Sequence, residues 1–233
     1  LSLKQRDMCS AEIIGETAAV RALVSQLDKV AKSNSRVLLT GPSGAGKQVA
    51  ARYLHKTSNR SGAAFVTVSC ATIEPEVMEP MLFGRELPDG TIQQGLLEQA
   101  NGGVIFFDEV ADLPFATQSK ILKVLVEQKF ERVGGTVRIE VDLRVVSSTN
   151  LDLEAEIEAG NFRRELFHRL NVVGISVPSL EERREDIPLL SAYFIEQYHE
   201  LQGLALRPLS DEAVGALQTM VWAGNIRQLK NLI

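Results

Sequence analysis

The sequence predicts an α/β fold: a mainly parallel sheet covered by helices on both faces over residues 1–178, followed by a small all-helical unit over 179–233. Three observations carry this. Short unbroken apolar runs recur at Val37–Thr40, Phe65–Val68, Val104–Asp108, Leu143–Thr149 and Gly174–Val177, as strands buried on both faces require. Stretches of helical periodicity separate most of them, an alternation that builds parallel sheets. After Pro178 the strand runs stop and helical spacing alone continues.

Taken in order, Val20, Leu23, Val24, Leu27, Val30 and Ala31 share one stripe and predict a helix over roughly 16–33. The run Val37–Thr40 leads straight into GPSGAGKQ (Gly41–Gln48), and a second helical pattern continues through Tyr53 and Leu54. Pro88-Asp89-Gly90 predicts a tight turn. Beyond 178, Ile187, Leu190, Phe194, Tyr198 and Leu201 follow helical spacing, as do Ala213, Val214, Leu217 and Val221. Ser210 before Asp211 and Glu212, and Asn225 three residues before Gln228, read as helix N-caps. No internal repeat or low-complexity segment occurs. Leu1 is not an initiator methionine, and Ile233 closes an apolar-periodic run with no stop signal, so more chain is expected on each side.

Composition excludes several classes. The 233 residues are 45% hydrophobic with a net charge of −5, ordinary for a globular protein and a poor match to a nucleic-acid binder acting alone. The two cysteines, Cys9 and Cys70, stand far apart with no CxxC or Cys/His cluster, which argues against a disulfide framework or zinc site and fits a reducing, cytoplasmic home. No apolar stretch approaches the roughly 20 residues of a membrane helix, and no signal peptide opens the chain.

The chemistry lies in two places. Glycines let successive backbone N–H groups point inward at a helix N-terminus, where the dipole favours anions. Gly41, Ser43, Gly44, Ala45, Gly46 and Lys47 form such a loop, with the Lys47 ammonium reaching the β- and γ-phosphates of a nucleotide. Alone, Gly-x4-Gly-Lys arises by chance in roughly one chain of this length in fifteen, and the loop could be a simple strand-to-helix turn. The second place is GGVIFFDEV, a buried strand ending in Asp108 and Glu109. Such acids are often mere turn or cap residues, but beside a phosphate loop Asp108 suits Mg²⁺ and Glu109 suits the attacking water. Both places fall at carboxyl ends of strands, where open α/β sheets bind ligands. Gln48 stands where a metal-binding hydroxyl is usual, and its amide oxygen binds Mg²⁺ less readily, so the ion is expected to lean on Asp108 and water instead.

The ordered blocks GPSGAGK, LFG, GGVIFFDEVADLP, KILKVLVEQKFERVGG, STN, NFRRELFHRLNV, SLEERREDIPLL and WAGNIRQLKN resemble the AAA+ ATPase domain of bacterial sigma-54-dependent response regulators, in detail the nitrogen-regulation regulators of the NtrX type. The likeness runs from about Ile13 to Ile233. It implies ATP or ADP with Mg²⁺ as ligand, with Lys47 as Walker A lysine, Asp108 and Glu109 as Walker B pair, Thr149 and Asn150 as sensor I, and Arg227 as sensor II. In that family an acid or amide after the lysine is common, which makes Gln48 less anomalous. Arg163 and Arg169 match two arginines that act in a neighbouring subunit. Six residues apart, these turn about 240° on a helix, so both can act only if Arg163 lies at or before the helix start. Each could otherwise be a surface charge, Arg227 a helix-surface contact and Thr149-Asn150 a strand end.

The resemblance further implies a weak, oligomer-dependent ATPase that self-associates, from dimer to hexameric or heptameric ring. Its expected companions are an N-terminal receiver served by a sensor kinase and a C-terminal helix-turn-helix that binds DNA, both outside this chain. RNA polymerase is a further partner of the family, and no membrane is involved. Two departures qualify this. The family's Gly-Ala-Phe-Thr-Gly-Ala arm after LFG is replaced by LFGRELPDGTIQQGLLEQANGG, shorter and without an aromatic tip, so sigma-54 remodelling is not expected. Ser69 in VTVSC stands where the family has an Asn that restrains the catalytic glutamate.

Overall fold

A computed structural model describes residues 12–202 and 207–233. Cys9 lies outside the described residues. In chain order come α1 (Ala18–Ala31), β1 (Val37–Thr40), α2 (Lys47–Lys56), β2 (Phe65–Ser69), α3 (Pro75–Phe83), β3 (Arg85–Glu86), β4 (Ile92–Gln93), α4 (Leu96–Gln99), β5 (Val104–Asp108), α5 (Phe115–Glu127), β6 (Lys129–Glu131), β7 (Arg138–Glu140), β8 (Arg144–Thr149), α6 (Leu153–Glu158), α7 (Arg164–Leu170), β9 (Val173–Ser176), α8 (Ile187–Gln202), α9 (Asp211–Thr219) and α10 (Asn225–Leu232).

Five strands form one parallel sheet in the order β2-β5-β8-β1-β9. Their unbroken apolar runs resolve into two faces by simple alternation. Leu38, Ile105, Phe107 and Val145 point into one core, whereas Val37, Leu39, Val104, Phe106 and Val146 point into another. Helices cover both, as the predicted α/β class requires. The parallel register brings β1, β5 and β8 to a common carboxyl edge, where the glycine loop, Asp108 and Asn150 follow the strands.

Two antiparallel hairpins, β3-β4 and β6-β7, lie outside the main sheet; at two or three residues per strand they carry no readable alternation in sequence. The β3-β4 hairpin closes through the turn Leu87–Gly90, in which the Gly90 N–H donates to the Leu87 carbonyl and Gly90 takes φ +82°. The tight turn expected at Pro88-Asp89-Gly90 is present.

After β9 three helices enclose a core of Leu180, Ile187, Leu190, Phe194, Leu217, Trp222 and Leu229. Within this lid Arg183 Nε pairs with Asp186 Oδ2 at 3.1 Å, and both buried residues reach the segment before α1. The Asp186 carboxylate also accepts the Glu16 and Thr17 amides and the Thr17 hydroxyl, while Arg183 donates to the Ile14 carbonyl. Of the two predicted caps, Ser210 accepts from the Ala213 amide as expected. Asn225 does not cap its helix. Gly224 is the N-cap of α10, the Gln228 carboxamide accepts from the Gly224 amide, and Asn225 sits just inside at φ +51° with its side chain committed elsewhere.

Candidate nucleotide site

The loop between β1 and α2 takes its shape from three glycines. Gly41, Gly44 and Gly46 have φ of +150°, +76° and +105°, values that side-chain-bearing residues rarely adopt. At Gly44 a Cβ would lie 2.2 Å from the Gly224 carbonyl oxygen, so only glycine lets the loop meet the lid. Gly46 is the N-cap of α2, which aims that helix's free amides and positive dipole end at the loop. Lys47, 5% exposed, reaches back to donate to the Gly41 and Pro42 carbonyls at 2.8 and 3.3 Å and pairs with Glu109 Oε1 at 3.0 Å.

Asp108 ends β5 beside Ser69 of β2 and accepts the Ser148 hydroxyl at 2.6 Å. The same Ser148 oxygen accepts the Glu109 amide at 3.0 Å. Glu109 takes a left-handed φ of +56°, and its carboxylate is held by Lys47 on one oxygen and by the Asn150 amide at 2.8 Å on the other. The carboxylates of Asp108, Asp112 and Glu109, together with burial, push the Cys70 thiol well above its ordinary range, burial being the larger cause. Asp112 is itself raised by burial and by Glu109 and Glu156.

These groups border a cavity of about 630 Å³, within the range of small-molecule sites. Its lining combines polar groups, among them Gly44, Gly46, Lys47, Gln48, Asp108, Glu109, Asn150 and Arg227, with the apolar Ile13, Ile14, Leu190, Tyr193, Phe194 and Ile226. Ser43 borders it too, its hydroxyl accepting from Arg227 Nη1 at 3.2 Å. Ala45, by contrast, is a buried packing residue behind the loop. Of the predicted sensor I pair, only Asn150 reaches the cavity. Thr149 is 1% exposed, and its hydroxyl closes a local turn with the Leu151 backbone.

Arg163 and Arg169 do not line this cavity. Arg163 is the N-cap of α7 with extended backbone, the condition under which the two arginines escape opposite faces of one helix. Its amide donates to the fully buried Gln118, and its guanidinium lies 4.0 Å over the exposed Phe115 ring. Arg169 occupies the last turn of α7, where its carbonyl accepts from Arg36. Among the described residues, no group of three or more His, Cys, Asp and Glu side chains is placed to hold a metal. Asp108 and Gln48 border the cavity together with Glu109 and Asp112, oxygen donors of the kind that suits Mg²⁺, which keeps several waters and phosphate oxygens in its shell.

Two residues escaped the sequence reading. Ser148, 0% exposed, joins Asp108 to Glu109, and its only signal is the pair of serines that follows Val145 and Val146 in a buried strand. Asn225 was read as a cap, but it bridges the lid and the glycine loop.

Comparison with known families decides the kinship. Residues 13–176 match the model of the sigma-54 interaction domain, and residues 181–233 match that of the AAA+ ATPase lid domain. The chain belongs to the sigma-54 interaction domain family. Over 220 residues this AAA+ domain is 46% identical to the nitrogen assimilation regulatory protein NtrX of Azorhizobium caulinodans, covering 94% of the chain and 48% of that protein. Its fold superposes on NtrX from Brucella abortus in complex with ADP with a TM-score of 0.92 at 49% identity, covering 98% of this chain and 52% of the other. For NtrX from Brucella abortus in complex with ATP the TM-score is 0.90 at 48% identity, covering 98% and 51%. The domain thus spans about half the length of the relatives it matches. No helix among the described residues is long and apolar enough to cross a membrane.

Proposed function

We propose that this AAA+ domain binds ATP and ADP with Mg²⁺ and hydrolyses ATP slowly in a self-associated state, as the nucleotide-responsive core of a DNA-binding two-component regulator. The observation that carries the reading is the convergence of Lys47, Asp108, Glu109, Asn150 and Arg227 on one cavity that also has apolar side chains in its lining. The residues fit the ligand: a glycine loop with left-handed backbone, a buried lysine and the N-terminus of α2 suit phosphates, and the apolar side chains in the lining suit a purine base. The relatives from Brucella abortus crystallised with ADP and ATP support it.

Bound Mg-ATP supplies the phosphoanhydride and the metal charge. Lys47 and the loop amides would hold phosphate oxygens, and Asp108, fixed by Ser148, would hold the Mg²⁺ with Gln48, the ion supplying positive charge there. Glu109 accepts the proton of the attacking water at its carboxylate, which the Asn150 amide orients. Arg163 and Arg169 stand outside this chain's own cavity, which leaves them available to a neighbour's, the role the family resemblance implies; such arginines contribute about 10³–10⁵ in rate where measured. Self-association is therefore part of the mechanism. A receiver served by a sensor kinase and a DNA-binding helix-turn-helix, both outside this chain, complete the regulator.

A second reading, a motor that opens sigma-54 promoters, draws on the family itself. Against it stands the β3-β4 hairpin, whose turn is closed by backbone hydrogen bonds and by Asp89 accepting the Thr91 amide, with no aromatic tip to dock on a partner. Titration with Mg-ATP, following phosphate release and particle mass together, tests the main reading; a strict monomer with undiminished turnover refutes the role of the arginines. Transcription in vitro with sigma-54 polymerase separates the two readings, and open-complex formation establishes the motor.

A further inference from the structure

The first turn of α10 grips the outer side of the glycine loop. Asn225, 3% exposed, donates from Nδ2 to the Ser43 carbonyl at 3.0 Å and accepts the Leu180 amide on Oδ1 at 2.8 Å. The Arg227 amide donates to the Gly44 carbonyl at 3.3 Å. Leu180 lies where the chain leaves the sheet for the lid, after β9 and within the lid core. One carboxamide thus ties three elements: the sheet-to-lid junction, the start of α10 and the phosphate loop. Its backbone adopts φ +51°, an uncommon conformation for a non-glycine residue and one that Asn tolerates better than most.

We propose that Asn225 is a positioning residue that couples the angle of the lid to the shape of the phosphate loop. This rests on the nucleotide reading above. The peptide whose oxygen Asn225 holds joins Ser43 to Gly44, so its orientation sets where the next amides of the loop point. A lid displacement that moves α10 drags that peptide, and a ligand that reshapes the loop pushes on the lid. Asn is required because both partners are backbone groups of opposite polarity: Leu180 offers a donor and Ser43 an acceptor, and only a carboxamide of this length supplies both.

The test uses Asn225→Asp, which keeps an acceptor for Leu180 but loses the donor to Ser43, and Asn225→Ala, which loses both without burying a charge. Hydrogen exchange in the ligand-free protein is expected to accelerate about tenfold in the peptide spanning 41–47 for both variants. Exchange in β5 and fluorescence of Trp222, the single tryptophan and part of the lid core, are expected to stay as in the parent for Asn225→Asp. ATP affinity is expected to fall by about the same tenfold factor. Unchanged loop exchange in both variants overturns the coupling, whether or not nucleotide binds. Loss of the Trp222 signal in both overturns it too, because Asn225 is then a general lid contact. If the parent protein fails to bind ATP while the loop exchange responds, the nucleotide reading falls and the mechanical coupling stands.

Discussion

Lys47 Nζ lies 3.0 Å from Glu109 Oε1, so the ammonium of the glycine loop and the carboxylate after β5 neutralise each other across the cavity. An anion that takes Lys47 must compete with Glu109. Glu109→Gln is therefore expected to bind ATP at least as tightly as the parent while hydrolysis falls by about 10²–10⁴. Lys47→Ala is expected to weaken ATP by about 10- to 100-fold, the loss of one charge-assisted contact. Nucleotide titration beside single-turnover hydrolysis checks both; parent-level affinity in a folded Lys47→Ala protein would remove the phosphate assignment.

Arg163 is displayed at the start of α7 against Phe115, away from its own chain's cavity. Arg163→Ala is expected to lose most ATPase activity and retain nucleotide affinity. Mixing it with Glu109→Gln is expected to restore turnover, because one protein supplies the carboxylate and the other the arginine. No recovery in the mixture, with mixed assemblies verified by mass, contradicts action between subunits.

Ser148 holds Asp108 and Glu109 in one register from a fully buried position. Ser148→Ala leaves the Glu109 amide and one Asp108 oxygen without that partner, at about 1–3 kcal/mol. A drop in turnover of about tenfold or more, with ATP affinity changed less, is the expected signature. Equal loss of both would mean that the serine supports the strand and not the acids.

Asp186 anchors the lid to residues 14–17. Burial pushes its carboxyl upward, but the Glu16 and Thr17 amides, the Thr17 hydroxyl and Arg183 together outweigh burial and hold it below the ordinary 3.8. A depressed folded value means the stabilisation is fully present above the unfolded value near 3.8 and disappears as pH falls through the lower folded value. Melting followed by Trp222 fluorescence is expected to lose stability steeply below about pH 4 in the parent. Asp186→Asn is expected to be less stable at neutral pH and flatter through that window. Parallel pH profiles would show that this anchor does not govern acid unfolding.

The sheet was legible because each of its strands is a local apolar run, and the five runs reappear shifted by no more than a residue at either end. Its glycine loop was legible because Gly44 and Gly46 need positive φ, a property of the residue type itself. The acids Asp108 and Glu109 were legible through their place after a buried strand. Thr149 and Asn150 were not separable by sequence, since adjacent residues on a strand end point opposite ways and the twist of the sheet decides which meets the cavity.

Sequence by itself determined the α/β class, the switch to helices after residue 178, the glycine loop and the two acids, all consequences of patterns within a few residues. Tertiary structure alone decided that Asn225 leaves its capping role for partners 45 and 182 positions away, and that Ser148 binds acids 39 and 40 positions earlier. The reason is energetic: a buried polar side chain must find a partner wherever folding brings one, and that position is a property of the packed chain.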